Sequence, residues 1–190
     1  MQQKKGKLSV AYALLRKPFT DELLLLEQLL ADKEEFIDRF YIQGDPDLYD
    51  PQPRKYKINN ESTIKRAIDK LTSTTAIDAE FIFNVRYDKA CEYGINGISN
   101  KALHIVTSDY NYKTQNQNLN FIFATQESRE SMWQHFYYSV PYLLIYTASV
   151  VDEIIFSYLP DEIITKFCKI IKRQMIFLIW SFDVGNVDEI

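Results

Sequence analysis

The chain has little glycine, proline, cysteine or histidine, and each shortage excludes a class of protein. With 5 glycines and 6 prolines among 190 residues, it has too few turn formers for an all-β sandwich or a low-complexity protein. The two cysteines and two histidines (Cys91, Cys168, His104 and His135) lack the close spacing of metal-ligand pairs, so we expect no structural zinc site. Cysteines inside apolar segments are typical of reduced, buried thiols, and we therefore expect a cytoplasmic protein.

A strong excess of charge and a long apolar run are also missing. The 22 basic and 26 acidic side chains give a net charge of −4, which does not favour a polyanion through bulk electrostatics. The uncharged residues 136–151 are interrupted by Pro141 and fall short of the roughly 20 apolar residues that cross a bilayer. We interpret them as part of a buried helix and expect no membrane association. Residues 1–7 are basic but precede no cleavage site, which indicates a tail rather than a signal peptide.

The composition that remains is that of a folded domain. Hydrophobic residues make up 46% and charged residues 25% of the chain, which is the range of globular proteins rather than disordered ones. The length favours one domain. With 13 tyrosines and 12 phenylalanines, aromatic rings are expected to fill much of the core.

The N-terminal third predicts closely spaced helices. Residues 8–17 and 20–32 carry helical signals, and Pro18 either starts the second helix or kinks one continuous helix. Thr20 is a candidate cap, and the leucines at positions 23–26, 29 and 30 place this helix at the centre of a bundle. Residues 33–42 continue as a helix with one buried stripe, formed by Phe36, Ile37, Phe40 and Tyr41.

The remainder of the chain predicts a long loop and further helices. Residues 44–60 contain three prolines and are expected to form a loop, either a functional crossover or an ordered strap. Three helices are predicted next: from residue 61 or 62 to 71, from about 76 to 93 with a stop at Gly94, and over 99–107. A long helix follows from 128 to about 159, with a cap at Ser128 and a bend at Pro141. The last predicted helix runs from 161 to about 182. Residues 119–124 alternate like a short strand, and residues 183–190 form a polar tail. The sequence thus predicts an all-α, antiparallel helical bundle in a single domain of residues 1–190, with one short extended segment.

Arg129 and His135 form the sharpest candidate site. A histidine near neutral pKa can act as general acid or base on an RNA 2′-hydroxyl, and an arginine can stabilise the charge that develops on the phosphate. Such a pair needs no metal, and we predict no cofactor. Six residues of helix turn through about 600°, however, so the two side chains lie about 120° apart and meet more readily in a dimer cleft. The alternative is a surface salt bridge at Arg129 and a His135 packed among aromatic rings.

Acidic residues supply two further candidates. Asp88 and Glu92 are one helical turn apart and either bind a divalent ion or join a surface network with neighbouring basic residues. Glu22 and Glu27 lie among leucines, where an acid must find a partner or shift its pKa. We expect a buried structural pair there, with Arg16 or Arg86 as the partner.

Basic and tyrosine residues supply the last two candidates. Two groups of basic residues either contact phosphates or form solvated faces. The stripe on the last predicted helix consists of Lys166, Lys169, Lys172 and Arg173. The group around the loop consists of Arg54, Lys55, Lys57, Lys65 and Arg66. The polar residues 109–118 contain Tyr110 and Tyr112, which are candidates to contact a partner.

Two N-terminal stretches resemble a known group of proteins. Residues 12–27 place an arginine and acids on a leucine-rich helix, with Pro18 between them, and residues 32–40 form an acidic D-x-E-E turn into a helix that ends in Arg-Phe. This order resembles the opening helices of abortive-infection-like bacterial proteins, which are related to the HEPN domains (higher eukaryote and prokaryote nucleotide-binding). The HEPN motif is Arg-x₄₋₆-His at the start of a late helix, and Arg129 and His135 match that spacing.

The resemblance implies both a fold and a function. HEPN domains are α-helical, usually dimeric and often metal-independent ribonucleases. By this resemblance, the chain is an RNA-cutting effector of bacterial defence or of a toxin–antitoxin pair and forms a homodimer. Arg129 then stabilises phosphate charge and His135 transfers protons. The competing hypothesis is a non-enzymatic helical module that binds or regulates a protein partner, which predicts an exposed apolar patch.

Overall fold

The computed structural model describes residues 8–50, 59–72, 77–117, 119–120 and 126–157, with side chains from residue 10 in the first range and from residue 130 in the last. Within these ranges the regular structure is helical and contains no strand, which confirms the all-α fold. The helices are α1 (Leu8–Lys17), α2 (Leu23–Ala31), α3 (Lys33–Ile37), α4 (Pro46–Tyr49), α5 (Asn60–Ile68), α6 (Ala79–Tyr87), α7 (Ile95–Leu103) and α8 (Gln126–Ser157).

The chain passes from α1 to α2 without leaving a helical conformation. The connection is a π-helical turn, Pro18–Glu22. Proline has no N–H for a regular helical hydrogen bond, and a wider turn at this point is one way to keep the helix going. The structure therefore agrees with the second alternative, in which Pro18 distorts one continuous helix rather than starting a new one. Thr20 is not a cap, because it is buried inside this turn and its hydroxyl donates to the Arg16 carbonyl at 2.8 Å.

The segment after α2 is helical but less buried than predicted. Asp32 caps α3 by accepting a hydrogen bond from the Glu35 N–H at 2.9 Å, and a second π-helical turn, Asp38–Gln43, ends at Gly44 with a left-handed φ of 65°. Phe36 and Ile37 are half-buried, but Phe40 and Tyr41 are exposed, so the predicted buried stripe is wrong in its second half. The reason is that the Phe40 ring packs on Tyr49 of the short α4, with centroids 5.0 Å apart, rather than on the core.

The predicted 44–60 loop contains structure at both ends. Asp45 accepts a hydrogen bond from the Asp47 N–H and starts α4, so residues 46–49 form a helical turn rather than loop. Asn59 accepts from the Ser62 N–H at 3.1 Å and begins α5. Residues 51–58 lie outside the described residues.

The helix predicted over 76–93 is shorter than expected. Asp78 caps α6, which ends at Tyr87 because Asp88 is extended and its carboxylate accepts from the Ala90 N–H at 2.8 Å; such a local side-chain bond competes with the helix. Gly94 is not a left-handed stop but precedes α7, which starts four residues earlier than predicted. A Cβ at Gly94 would lie 3.0 Å from the carbonyl oxygens of Asp88 and Cys91, so the close approach of the backbone explains this glycine.

The core lies where α2, α5, α6 and α8 meet. Its completely or almost completely buried members include Leu23, Ile64, Ile82, Val85, Leu143, Tyr146 and Val150. α1 packs on α7, and α2 packs on α5 and α8, so the leucine-rich helix is central as predicted. α8 starts at Gln126 and contains Pro141; Ser128 is therefore inside the helix and does not cap it.

Several predictions concern residues that lie outside the described ranges. They are the basic tail at 1–7, the extended segment for residues 121–124, the end of the long helix beyond residue 157, the last helix at 161–182 and the polar tail at 183–190.

Candidate functional site

His135 lies on α8 and is fixed by α1. Its Nδ1 atom is 3.0 Å from the Tyr12 hydroxyl oxygen, and the proton of that hydroxyl is donated to the Met132 carbonyl at 2.9 Å. The two rings meet edge to face with centroids 5.8 Å apart. The imidazole is half-buried, and burial lowers its pKa, although a hydrogen bond with the Gly94 backbone opposes this change. His135 is thus held in one orientation and favours the neutral form.

Arg129 occupies the same helix six residues before His135. Its side chain lies outside the described residues, so the distance between the guanidinium and the imidazole stays a prediction. The alternative predicted for His135 is packing among Trp133, Phe136 and Tyr137. The ring that His135 meets is that of Tyr12, against which Phe136 also packs edge-on, while Trp133 stacks on Tyr137.

A buried ion pair joins α6 to α2. The Arg86 Nη1 atom donates to the Glu27 Oε1 atom at 2.5 Å, and both side chains are 0% exposed. This pair confirms the prediction that an acid among leucines finds a buried basic partner. Of the two partners that the sequence left open, Arg86 pairs with Glu27, whereas Glu22 is exposed.

The pair also satisfies the backbone of the first π-helical turn. Arg86 Nε donates to the Phe19 carbonyl at 2.6 Å, and Arg86 Nη2 donates at 2.9 Å to the Tyr87 hydroxyl, which in turn donates to the Thr20 carbonyl at 2.7 Å. One guanidinium thereby connects α6 with α2 and with the connection between α1 and α2. A charged hydrogen-bond network of this kind fixes the relative position of the helices.

α8 joins the same network through Tyr146. Its hydroxyl donates to Glu27 Oε1 at 2.6 Å. Burial raises the pKa of Glu27, and Arg86 and Tyr146 oppose that change. Burial alone would lower the pKa of Arg86, but the Glu27 carboxylate raises it, so the guanidinium keeps its charge.

Sequence reasoning missed Tyr87 and Tyr146. Tyr146 follows three apolar residues, whereas Tyr87 lies between Arg86 and Asp88; in both places a tyrosine is indistinguishable from a phenylalanine by periodicity. The available signal was that a buried tyrosine hydroxyl needs a partner, and Glu27, with Arg16 or Arg86, was already a candidate for a buried polar pair.

The Asp88–Glu92 metal hypothesis is wrong in its geometry. α6 ends at Tyr87, so Asp88 and Glu92 are not on consecutive turns of one helix. The Asp88 carboxylate is turned back to the Ala90 N–H. Among the residues that the structure describes, no group of three or more histidine, cysteine or acidic side chains has an arrangement that could hold a metal ion.

The remaining candidates lie partly on the surface and partly outside the described residues. Lys65 and Arg66 are exposed on α5. Tyr110 is 93% exposed in a short 3₁₀ turn, Tyr110–Tyr112, and next to it Lys89 pairs with Asp109 at 3.0 Å and lies over the Tyr112 ring. The positions outside the described ranges are Arg54, Lys55, Lys57, Lys166, Lys169, Lys172 and Arg173.

Three large apolar side chains of α8 are exposed along one line of the helix. Tyr137, Leu144 and Ile155 are 44–48% exposed, and their spacings of 7 and 11 residues place them within about 20° of one helical direction. Tyr138 and Tyr142 are similarly exposed but point about 100° and 140° round the helix from Tyr137, away from this line. We call Tyr137, Leu144 and Ile155 the α8 apolar face; its tyrosine belongs to a residue type that is enriched at protein interfaces.

α8 also meets the length and composition criteria of a membrane span. Among the described residues this is true of one stretch, Glu130–Ser157, whose most apolar window is 33% buried. The core helix of a soluble protein meets the same criteria, and Leu143, Tyr146 and Val150 of this stretch belong to the core. The expected absence of membrane association therefore stays a prediction.

Comparisons with known proteins give no match: no family model fits the chain, and neither a curated protein nor a solved structure is significantly similar to it.

Proposed function

We propose that the protein is a helical interaction module that forms a homodimer through the α8 apolar face. The observation that carries this proposal is the alignment of Tyr137, Leu144 and Ile155 along one side of a helix whose opposite side lies in the core. Exposed apolar patches mark interaction sites in soluble proteins.

The chemistry of the face favours a second copy of the chain as the occupant. Residues 131–151 contain no aspartate, glutamate, lysine or arginine, so the middle of the face offers a charged partner no ion pair. Any charge that such a partner buried there would lose its hydration without compensation. A second α8 brings the same uncharged surface, and two-fold symmetry sets each face against its own copy.

A single charge placed in the face tests the proposal. Leu144→Glu puts a carboxylate at the centre of the face. Because the dimer would bury two such carboxylates next to each other, we expect the variant to elute from size-exclusion chromatography as a monomer. Leu14→Glu is the matched control, because Leu14 is 69% exposed on α1, away from the face, and should leave the dimer intact. A Leu144→Glu variant that elutes like the wild type contradicts the proposal.

The second candidate function is the metal-independent ribonuclease implied by the HEPN resemblance. Its support is the state of His135, which is only partly buried and favours the neutral form, as a general base requires. In this hypothesis His135 transfers protons, Arg129 stabilises phosphate charge and the substrate is RNA. Dimerisation through α8 is compatible with it, since the motif would then occur twice in one assembly.

The ribonuclease hypothesis is tested on RNA with matched histidine variants. His135→Ala and Arg129→Ala should each abolish cleavage of a labelled single-stranded RNA, whereas His104→Ala should not, because His104 is an exposed residue at the end of α7. Equal activity in all these proteins, or none in the wild type, contradicts the hypothesis without affecting the dimer proposal.

A further inference from the structure

A polar cleft lies at the junction of α2, α3, α4 and α5, on residues that neither the ribonuclease nor the dimer uses. Its volume is about 390 Å³, within the range of about 300–1,000 Å³ that is usual for small-molecule sites. Phe36 and Leu48 give it an apolar wall. Thr63, which is 2% exposed, also lines it.

The charged side chains that line the cleft are two acids and two bases. Glu35 pairs with Arg39, and the Arg66 Nη1 atom is 3.8 Å from the second carboxylate oxygen of Glu35, too far for a hydrogen bond. Asp32 completes the set and uses one carboxylate oxygen to cap α3. Because the charges balance, the cleft suits a ligand that carries both a positive and a negative group.

The Gln28 amide beside the cleft has no hydrogen-bond partner. This residue lines the cleft and is 6% exposed, yet neither atom of its amide has a hydrogen-bond partner among the described residues. An unsatisfied buried amide costs free energy. Gln28 has three rotatable side-chain bonds, so its amide can turn towards a ligand that offers one donor and one acceptor.

We propose that this cleft binds a small zwitterionic molecule that contains an amide, of the size and chemistry of a dipeptide. The Arg66 guanidinium receives the carboxylate, since its geometry matches that group. The ammonium group lies near Asp32 and Glu35. The Gln28 amide pairs with the peptide amide, and Phe36 and Leu48 contact an apolar side chain.

Titration calorimetry with the dipeptide L-alanyl-L-leucine tests the assignment. We expect saturable binding to the wild-type protein and at least tenfold weaker binding to Arg66→Gln. Lys65→Gln is the matched control, because Lys65 is the exposed neighbour on α5 and does not line the cleft. N-acetyl-L-leucine amide has the amides without the charges and should not bind.

Gln28→Met separates a binding role from a structural one. Methionine has a similar shape without the unpartnered amide, so we expect a higher melting temperature in the absence of ligand together with loss of dipeptide binding. No dipeptide binding by the wild type, equal effects of Arg66→Gln and Lys65→Gln, or tighter binding of uridine 5′-monophosphate than of the dipeptide would overturn the proposal. A Gln28→Met variant that melts at a lower temperature and binds normally would also overturn it.

Discussion

Removal of the Arg86 charge should destabilise the protein more than any surface change. Arg86→Met leaves Glu27 buried opposite an apolar side chain, and both residues are 0% exposed in the folded protein. Breaking a buried pair from one side typically costs about 3–5 kcal/mol. The Phe19 carbonyl also loses its donor. Since small domains have a total stability of about 5–15 kcal/mol, we expect the variant to be at the edge of folding.

Urea unfolding of four proteins measures this effect. The free energy of unfolding is compared for the wild type, Arg86→Met, the double variant Glu27→Leu/Arg86→Met and the surface control Lys89→Met, whose partner Asp109 is on an exposed loop. The double variant should be more stable than Arg86→Met, because it removes the uncompensated charge as well. The reasoning is refuted if Arg86→Met is no less stable than Lys89→Met, or if the double variant is the least stable of the four.

Two further predictions concern His135 and Gly94. Because burial lowers the pKa of folded His135, the unfolded chain binds the proton more readily and stability is lost as pH falls through about 6.5. Between about pH 7.5 and pH 5.5 the wild type should therefore lose more unfolding free energy than His135→Asn, and equal losses would contradict this account. Gly94→Ala places a Cβ 3.0 Å from two carbonyl oxygens and should lower the free energy of unfolding by about 1–3 kcal/mol, as overpacking does. Gly44→Ala tests left-handed backbone strain instead. A Gly94→Ala variant with an unchanged melting temperature would show that the backbone relaxes freely.

The sequence predicted the elements whose signals are strong and local. The leucine-rich helix is central because apolar residues cover most of its circumference, and Glu27 pairs with Arg86 because a charge in that position has no water. The same logic reduced the basic partner to Arg16 or Arg86, and the contact in the structure decides for Arg86. It applies equally to Gln28, the next residue along α2, but an amide carries no charge and the pattern gave no reason to single it out.

The errors arose where a local hydrogen bond overrides helical periodicity. Asp88 ends α6 by bonding to Ala90, although the apolar spacing continues beyond it, and this removed the turn on which Asp88 and Glu92 were expected to meet. Pro18 widens the helix into a π turn. The spacing of apolar residues by three and four positions does not distinguish such a turn from a regular α-helix. The exposure of Phe40 and Tyr41 depends on their distance from the core, which is a property of the whole fold rather than of their own segment.

The mass of the wild-type protein in solution tests the central claim most directly. Sedimentation equilibrium over a range of protein concentrations should approach twice the chain mass of 22.4 kDa, with the heavier species lost in Leu144→Glu and kept in Leu14→Glu. A mass of 22.4 kDa at every concentration would show that the α8 apolar face does not join two copies of the chain.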